Sequence, residues 1–234
     1  MPPLEDAELS FPLPERFPRM ALVQREMEAP AISDISETLR SELVELDLAQ
    51  HIQPGHSVAL TAGSRGISSM QEILATSCAF LKELGASPFI VPAMGSHGGG
   101  TAQGQVAVLE ALGITESTIG APIRSSMDTV RLPDAECGAR VYADALAAQA
   151  DHIIAVNRVK PHTKFKGPVE SGLFKMLAIG LGKAKGARHL HQQAVSIPFP
   201  EFLLSVGNTM LEHLPVLAGL GLVDNYKGTA ATIK

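Results

Sequence analysis

The chain has 234 residues, a length that suits one large α/β domain or a domain with part of a second. Its formal net charge of −5, without a block of lysines and arginines, argues against nucleic acid and anionic membranes as partners. The amino terminus lacks a basic stretch followed by an apolar core, and Cys78 and Cys137 form no metal or redox pattern. We therefore expect a cytoplasmic protein.

Residues 1–34 are rich in proline and carry mixed charge, which predicts an extended amino-terminal arm. An arm of this kind wraps a partner domain or subunit, or it remains a poorly ordered tail, and both alternatives stay open. From residue 35 onward the pattern changes, and residues 35–234 are predicted to form one α/β domain.

Strand-like runs and helical spacing alternate through the first half of this domain. Helical spacing over 35–48 is followed by a short strand over 57–61, a helix over 67–84 that ends at Gly85, and a strand over 88–93. Strand, helix and strand in this order form a right-handed βαβ unit with parallel strands. The sequence therefore predicts a doubly wound, mostly parallel, Rossmann-like sheet flanked by helices.

Further elements are predicted along the rest of the chain. They are helices over 101–112, 145–150, 170–181 and 199–211, an edge strand over 140–143, a buried strand over 152–156, and a hairpin of strands over 217–223 and 229–233. The glycine-containing segment 182–186 is expected to interrupt the helix before it.

Polar clusters directly follow three of the predicted strands. Arg65 comes after the first strand, His97 after the second, and His162 after the strand over 152–156. In an open parallel sheet, ligands bind in the crevice outside the carboxyl ends of the strands. Arg65, His97 and His162 are therefore predicted to converge on one cleft.

Each of these three residues has chemistry that suits a small anionic ligand. Arg65 can clamp a carboxylate or phosphate with two hydrogen bonds. His97, in the glycine-rich loop 95–100, can act as a general base near neutral pH. His162 lies in the lysine-rich segment 160–166, which favours a neutral imidazole or attracts an anionic substrate. Ordinary surface residues on solvated loops are the alternative for all three.

Lys175 lies in an apolar stretch whose predicted helix places it on one face with Ser171, Gly172, Ala178 and Gly182. Because this face is nearly bare of bulk, a flat ligand could lie against the helix beside the amine. A desolvated lysine has a lowered pKa and becomes nucleophilic or cofactor-binding. The alternative is a lysine whose stem follows an apolar surface to water.

His189 and His191 flank Leu190 just after the glycine segment. Two histidines at this spacing can share a metal such as nickel only on an extended segment. A helix would point them in different directions and leave at most one ligand, and a pair of surface histidines is the alternative.

Taken in order, these motifs resemble those of the lactate racemase family, enzymes that use a nickel-pincer nucleotide. Gly95-Ser96-His97 is similar to that family's Gly-Thr-His loop, and Pro161-His162 to its Pro-His motif. The segment from Ser171 to Lys175 is similar to the family's Ser-Gly-x-x-Lys motif. His191 falls at the position of the family's nickel-binding histidine, and His189 does not.

The resemblance implies a racemase or epimerase that inverts a small-molecule 2-hydroxy acid by reversible hydride transfer. In that scheme His97 and His162 act as base and acid at the substrate hydroxyl, one on each face, and Arg65 holds the carboxylate.

The resemblance also implies a set of cofactor-binding residues. Lys175 would hold or covalently tether the nickel-pincer nucleotide, with Ser64, Ser171 and Gly172 as further contacts. His191 would bind the nickel. The family's Asp-x-Thr-Arg segment ends here in Ser64 and Arg65 but begins with alanine, so one acidic cofactor contact is absent.

Two features of the family limit the comparison. The segment between His162 and Lys175 is longer than in the lactate-specific enzymes, so the resemblance does not single out lactate as the substrate. The family also has a carboxy-terminal domain that closes over the substrate, and this chain is expected to end before it.

Other functions remain open at this point. One is a non-catalytic nucleotide- or anion-binding α/β domain, and a homo-oligomer is compatible with either function. A metal-free hydrolase or lyase that uses His97 or His162 as base is a third, although no Gly-x-Ser-x-Gly elbow carries a nucleophile.

Overall fold

The computed structural model describes residues 21–23, 26–163, 165–193 and 197–234. The strands are β1 (Ser57–Ala62), β2 (Ser87–Pro92), β3 (Thr129–Arg131), β4 (Tyr142–Asp144), β5 (His152–Arg158), β6 (Val216–Asp224) and β7 (Ala230–Ile233). The helices are α1 (Ile35–Glu45), α2 (Met70–Glu83), α3 (Ala102–Ala111), α4 (Glu116–Ile119), α5 (Ala145–Ala148), α6 (Leu173–Lys175), α7 (Lys183–Gln193) and α8 (Phe199–His213). Short 3₁₀ turns lie at Leu48–Gln50 and Gly98–Gly100, and a π-helical stretch, Met176–Leu181, joins α6 to α7.

Five strands form the main sheet, in the order β2-β1-β5-β6-β7. The first four are parallel, and β7 pairs with β6 in an antiparallel hairpin. The βαβ unit and the carboxy-terminal hairpin predicted from the sequence are therefore confirmed. The short edge strand predicted over 140–143 corresponds to β4, which pairs with β3 in a separate two-stranded ribbon and not with the main sheet.

Helices cover both faces of the sheet. Successive side chains of β1 point to opposite faces and therefore pack against different helices. Val58 and Leu60 pack into a core that contains residues of α1 and α2, whereas Ala59 packs into a second core that contains residues of α7 and α8. Both faces of the strand are buried, as expected for parallel strands between two helical layers. The doubly wound α/β fold predicted from the sequence is confirmed.

The predicted amino-terminal arm lies only partly within the described residues. Residues 26–34 contain no helix or strand and run along the β6–β7 hairpin. The Ile32 N–H donates to the Ala230 carbonyl at 2.9 Å, and the Tyr226 hydroxyl donates to the Met27 carbonyl at 3.1 Å. The arm prediction for residues 1–20 and for 24–25 lies outside the described residues.

The segment from Leu173 to Gln193 agrees only in part with its prediction. The helix was predicted to begin at Glu170, but α6 begins at Leu173 and passes directly into the π-helical stretch. The predicted interruption after Leu181 is present, because Gly182 lies between that stretch and α7, and Lys183 has a left-handed φ of 54°. Gly180 allows close packing here, since a Cβ on it would lie 2.6 Å from the Ala93 carbonyl oxygen. Gly180 thus serves contact with the end of β2, whereas the break in the helix lies at Gly182 and Lys183.

Among the residues that the structure describes, no helix is both long enough and apolar enough to cross a bilayer. The helices instead bury one side against the sheet and expose the other.

A histidine pair at the amino-terminal end of the sheet predicts a pH-dependent stability. His56 Nδ1 lies 3.0 Å from His152 Nε2. Burial lowers the pKa of His152 and His56 lowers it further, against an opposing effect of Asp151. The unfolded chain, in which His152 titrates near 6.5, then binds a proton more readily than the folded chain.

We therefore expect the free energy of unfolding to decrease as the pH falls below 6.5 and to change little above it. Urea unfolding on both sides of that pH measures the decrease, which should be smaller in His152→Gln. An equal decrease in wild type and His152→Gln would rule out the pair as its source.

Candidate functional site

A cleft of about 340 Å³ opens at the carboxyl ends of β1, β2 and β5. From β1 the chain passes to β2 on one side, and β5 pairs with β1 on the other, so the direction of winding reverses at β1. Ligands bind at such switch points in open α/β sheets, because the loops leaving neighbouring strands diverge there. The loops after these three strands carry the polar clusters found in the sequence.

The cleft gathers most of the side chains that the sequence analysis selected. Arg65, His97, His162 and Lys175 line it together with Ser64 and Ser171. Apolar side chains of Ile67, Met94, Met176 and Ile179 complete much of its wall. Gly172 and His191 do not line it.

The loop that carries His97 has a backbone that only glycine adopts readily. Gly98, Gly99 and Gly100 have φ values of 65°, 66° and 64°, in the left-handed region. Gly98 also packs directly on the start of α3, where a Cβ would lie 2.6 Å from backbone atoms of Gly104. This tight turn presents His97, whose Nδ1 shares a hydrogen bond with the Ser64 hydroxyl at the end of β1.

The loop that carries His162 is held by Glu170, which the sequence analysis missed as a site residue. The two carboxylate oxygens of Glu170 accept hydrogen bonds from the backbone N–H of His162 at 2.8 Å and of Gly167 at 3.3 Å. The bond from His162 is the main reason that the pKa of Glu170 is lowered, so the carboxylate stays charged. An acidic residue shortly before the Ser-Gly pair was the available signal, but the predicted helix start concealed it.

The imidazole of His162 also has aromatic neighbours. It stacks on Phe165 with 4.1 Å between ring centroids, and Phe199 lies at 6.2 Å. These rings give the imidazole an apolar backing. Lys164, in the same lysine-rich segment, lies outside the described residues.

Lys175 lies half-buried at the end of α6, where the π-helical stretch begins. Burial lowers the pKa of its amine, and the nearby positive charges of Arg65 and Lys160 lower it further. A larger neutral fraction makes an amine a better nucleophile, as the sequence analysis expected of a desolvated lysine.

The helix face around Lys175 is not the one predicted. Ile179 and Gly180 line the cleft with Lys175, whereas Ala178 and Gly182 are buried elsewhere. The wider π-helical turn explains the shift, because it displaces the residues that follow Lys175 by about one position around the axis.

The cleft is strongly cationic. Arg158 and Lys160 line it in addition to Arg65 and Lys175, and no aspartate or glutamate is among the described residues of its lining. The Arg158 guanidinium is paired with Asp224 at 2.9 Å, which fixes it at the end of β5. Such a lining suits an anionic ligand.

His191 lies in a neighbouring depression of about 380 Å³, formed by α7 and the His97 loop. Ser96, Ala184, Ala187, Arg188 and Gln192 line the depression with it. The His97 loop borders both spaces, since Met94 and His97 line the cleft and Ser96 lines the depression.

His189 and Gly172 have structural partners of their own. The ring of His189 stacks on Tyr142 at 5.0 Å, away from the depression that His191 lines. The two histidines of α7 therefore point in different directions, as the helical alternative required. Gly172 is buried, with a φ of 81°, and its carbonyl accepts a hydrogen bond from the Asn157 side chain at 2.8 Å.

No group of three or more His, Cys, Asp or Glu side chains that could hold a metal ion occurs in the described part of the chain.

No protein-family model matches the chain, and no curated protein matches its sequence. Among solved structures, the lactate racemase apoprotein from Thermoanaerobacterium thermosaccharolyticum is similar, with a TM-score of 0.60 and 12% identity over 88% of this chain. The match covers 52% of that protein, so this chain spans about half the length of the structure it matches. A putative sarcosine dimethylglycine methyltransferase from Galdieria sulphuraria, at 10% identity over 76% of this chain and 77% of its own, has a TM-score of 0.23, too low to indicate a shared fold. The chain has a lactate racemase-like α/β fold.

Proposed function

We propose that this chain is the cofactor-binding part of a racemase or epimerase that inverts a 2-hydroxy acid, with His97 and His162 as the acid and base. The observation that supports this most is the single cleft in which both histidines, Arg65 and Lys175 meet. These four side chains come from three strand ends and a helix, and each has a chemical use in that reaction.

The order of the strands favours two bases that act from different sides. His97 follows β2 and His162 follows β5, and these strands flank β1, whose end carries Arg65. A substrate held by its carboxylate at Arg65 would have one histidine loop on either side. Inversion needs a proton acceptor for each enantiomer, which two flanking imidazoles provide.

The residues of the cleft fit the organic part of a nickel-pincer nucleotide. Its lining offers Arg65, Lys160 and Lys175 to an anionic group, with Arg158 already paired to Asp224, and the half-buried amine of Lys175 is suited to hold or tether the cofactor. Ser64 and Ser171 offer hydroxyl groups beside that amine. When bound, this cofactor would supply a reversible acceptor for the α-hydrogen as hydride.

The chain's own residues then have three tasks. Arg65 binds and orients the carboxylate through its planar guanidinium. One imidazole takes the proton from the substrate hydroxyl and the other returns a proton to the planar keto group, with the roles exchanged for the other enantiomer. Met94, Met176 and Ile179 present apolar surface that keeps water away from the reacting centre.

The nickel is proposed to bind His191. Its exposed imidazole lies outside the cleft, in a depression that shares the His97 loop with it, since Ser96 lines the depression and His97 lines the cleft. His189 is less suited, because its ring is stacked on Tyr142.

A non-catalytic anion-binding domain is the second candidate, favoured by the cationic lining of the cleft. The nickel content of the protein distinguishes the two functions, because an anion-binding domain does not require a metal.

Co-expression with enzymes that make the cofactor, followed by metal analysis, tests the proposal. We expect nickel close to one equivalent in the wild type and an intact-mass adduct on Lys175. His191→Ala should lose the nickel, since its imidazole is the proposed ligand, while the matched variant His189→Ala should keep it.

Two results would decide against the proposed function. Nickel that persists in His191→Ala would remove that residue as the ligand. A wild type without nickel or adduct that still binds inorganic phosphate in the cleft would favour the anion-binding domain.

A further inference from the structure

The side chain of Lys183 is wholly buried, together with the carboxylate of Asp144, which lies 2.9 Å from it. Lys183 also has a φ of 54°, in the left-handed region that a lysine rarely adopts. A buried charge and an unfavourable backbone conformation both destabilise the fold, so surrounding contacts must hold them in place. Neither residue lines the cleft or the depression.

The ammonium group of Lys183 connects this buried pair to the end of β2 and to α3. It donates to the Pro92 carbonyl at 2.6 Å and to Gln105 Oε1 at 3.0 Å. An ammonium group has only donors, so Gln105 must present its oxygen to Lys183. The orientation of the Gln105 amide is thereby fixed.

The other end of the same amide reaches the His97 loop. Gln105 Nε2 donates to the Gly95 carbonyl at 3.0 Å and to the His97 carbonyl at 3.3 Å. Gln105 is wholly buried, and these two carbonyls lie on either side of Ser96 in the turn that presents His97. The loop is held from its other side by the bond from the Gly95 N–H to the Gly180 carbonyl at 3.2 Å.

We propose that Gln105, oriented by the buried pair of Lys183 and Asp144, is the positioning residue that keeps the imidazole of His97 in the cleft. The inference rests on the proposed function for its catalytic meaning, since His97 is the acid or base only in that reaction. The positional claim itself concerns the free protein and needs neither cofactor nor substrate.

Gln105→Glu tests the proposal because it replaces only the amide nitrogen of the side chain with an oxygen. A carboxylate at this position can still accept from Lys183, but it cannot donate to the carbonyls of Gly95 and His97 and instead repels them. We expect the Ser64–His97 bond to be lost in a fraction of molecules. Side-chain ¹H–¹⁵N spectra should then show His97 changing from one tautomer to a mixture, and amides of residues 95–100 should exchange about tenfold faster.

The matched control is Gln103→Glu, which makes the same substitution at an exposed position of α3 and adds the same charge. His97 and the loop amides should be unchanged in this variant. The signals of His191, on the other side of the loop, should be unchanged in both variants.

A second variant keeps the test decisive if Gln105→Glu does not fold. Gln105→Met has a similar shape and leaves Lys183 with Asp144 and the Pro92 carbonyl, but it removes both bonds to the loop. The proposal fails if a folded Gln105 variant gives the wild-type tautomer and wild-type exchange at residues 95–100. Racemase activity that does not depend on Gln105 would contradict the positioning role but not the proposed function. Displacement of His97 in the Gln105 variants of a protein without racemase activity would contradict the proposed function but not the positioning role.

Discussion

Alanine in place of either His97 or His162 is expected to lower the rate of stereochemical inversion by about 100- to 10,000-fold, the usual contribution of a positioned acid or base. Each imidazole serves one side of the substrate in the proposed reaction, so neither can replace the other. The assay follows the enantiomeric composition of short 2-hydroxy acids, such as lactate and malate, after loading of the protein by co-expression.

Binding of the cofactor should survive both substitutions, because neither imidazole is assigned to the cofactor or the metal. Nickel content and the mass adduct on Lys175 should therefore equal those of the wild type. The control is His51→Ala, since His51 is exposed in the segment before β1, at the opposite end of that strand from the cleft. Inversion that persists in His97→Ala or in His162→Ala would exclude the two-base mechanism.

Asp144→Ala is expected to lower the free energy of unfolding by about 3–5 kcal/mol, because it leaves the ammonium group of Lys183 buried without its partner. Urea unfolding followed by far-ultraviolet circular dichroism measures the loss. The difference in the free energy of unfolding between Asp144→Ala and the wild type should decrease as the pH rises towards 10.5. Burial lowers the pKa of Lys183, and the neutral amine costs less free energy to bury than the ammonium group.

Two variants separate the buried charge from a general loss of contacts. Asp144→Leu combined with Lys183→Met removes both charges and should be far more stable than Asp144→Ala, as apolar replacements of buried pairs often are. Glu83→Ala, which breaks the exposed pair with Arg40, should have little effect. If Asp144→Ala and Glu83→Ala unfold at the same urea concentration, the pair does not stabilise the fold.

The strands and first helices could be predicted because their signals are local. The apolar runs of β1, β2 and β5 and the glycine that ends α2 are visible within short windows of sequence. The order of strand, helix and strand then implied that the strands are parallel. Because parallel strands end at the same edge of the sheet, Arg65, His97 and His162 could be predicted to meet there.

The segment around Lys175 could not be predicted in the same way. Gly180 and Gly182 both resemble helix breakers in the sequence, yet only Gly182 lies at the break, next to the left-handed Lys183, and Gly180 lets the π-helical stretch approach the end of β2. Whether a glycine ends a helix or lets it touch another element depends on what lies beside it in space. The π-helical turn has no local signal of its own, so the face around Lys175 was assigned to the wrong residues.

The residues that hold the site in place were also beyond the sequence. Lys183 bonds to Pro92 and Gln105, which are 91 and 78 residues away along the chain. Only the packed fold reveals that this lysine is buried and that a glutamine of α3 reaches the His97 loop.

The π-helical stretch and the turn after it determine how the two cavities are arranged. A π turn holds one residue more than an α turn, so it acts as a one-residue insertion within Met176–Leu181. Because of this insertion, Gly180, five residues after Lys175, lines the cleft beside the amine. Gly182 and Lys183, with its left-handed φ of 54°, then turn the chain into α7, where Ala184 lines the depression together with His191. This turn therefore sets where the imidazole of His191 lies relative to the amine in the cleft.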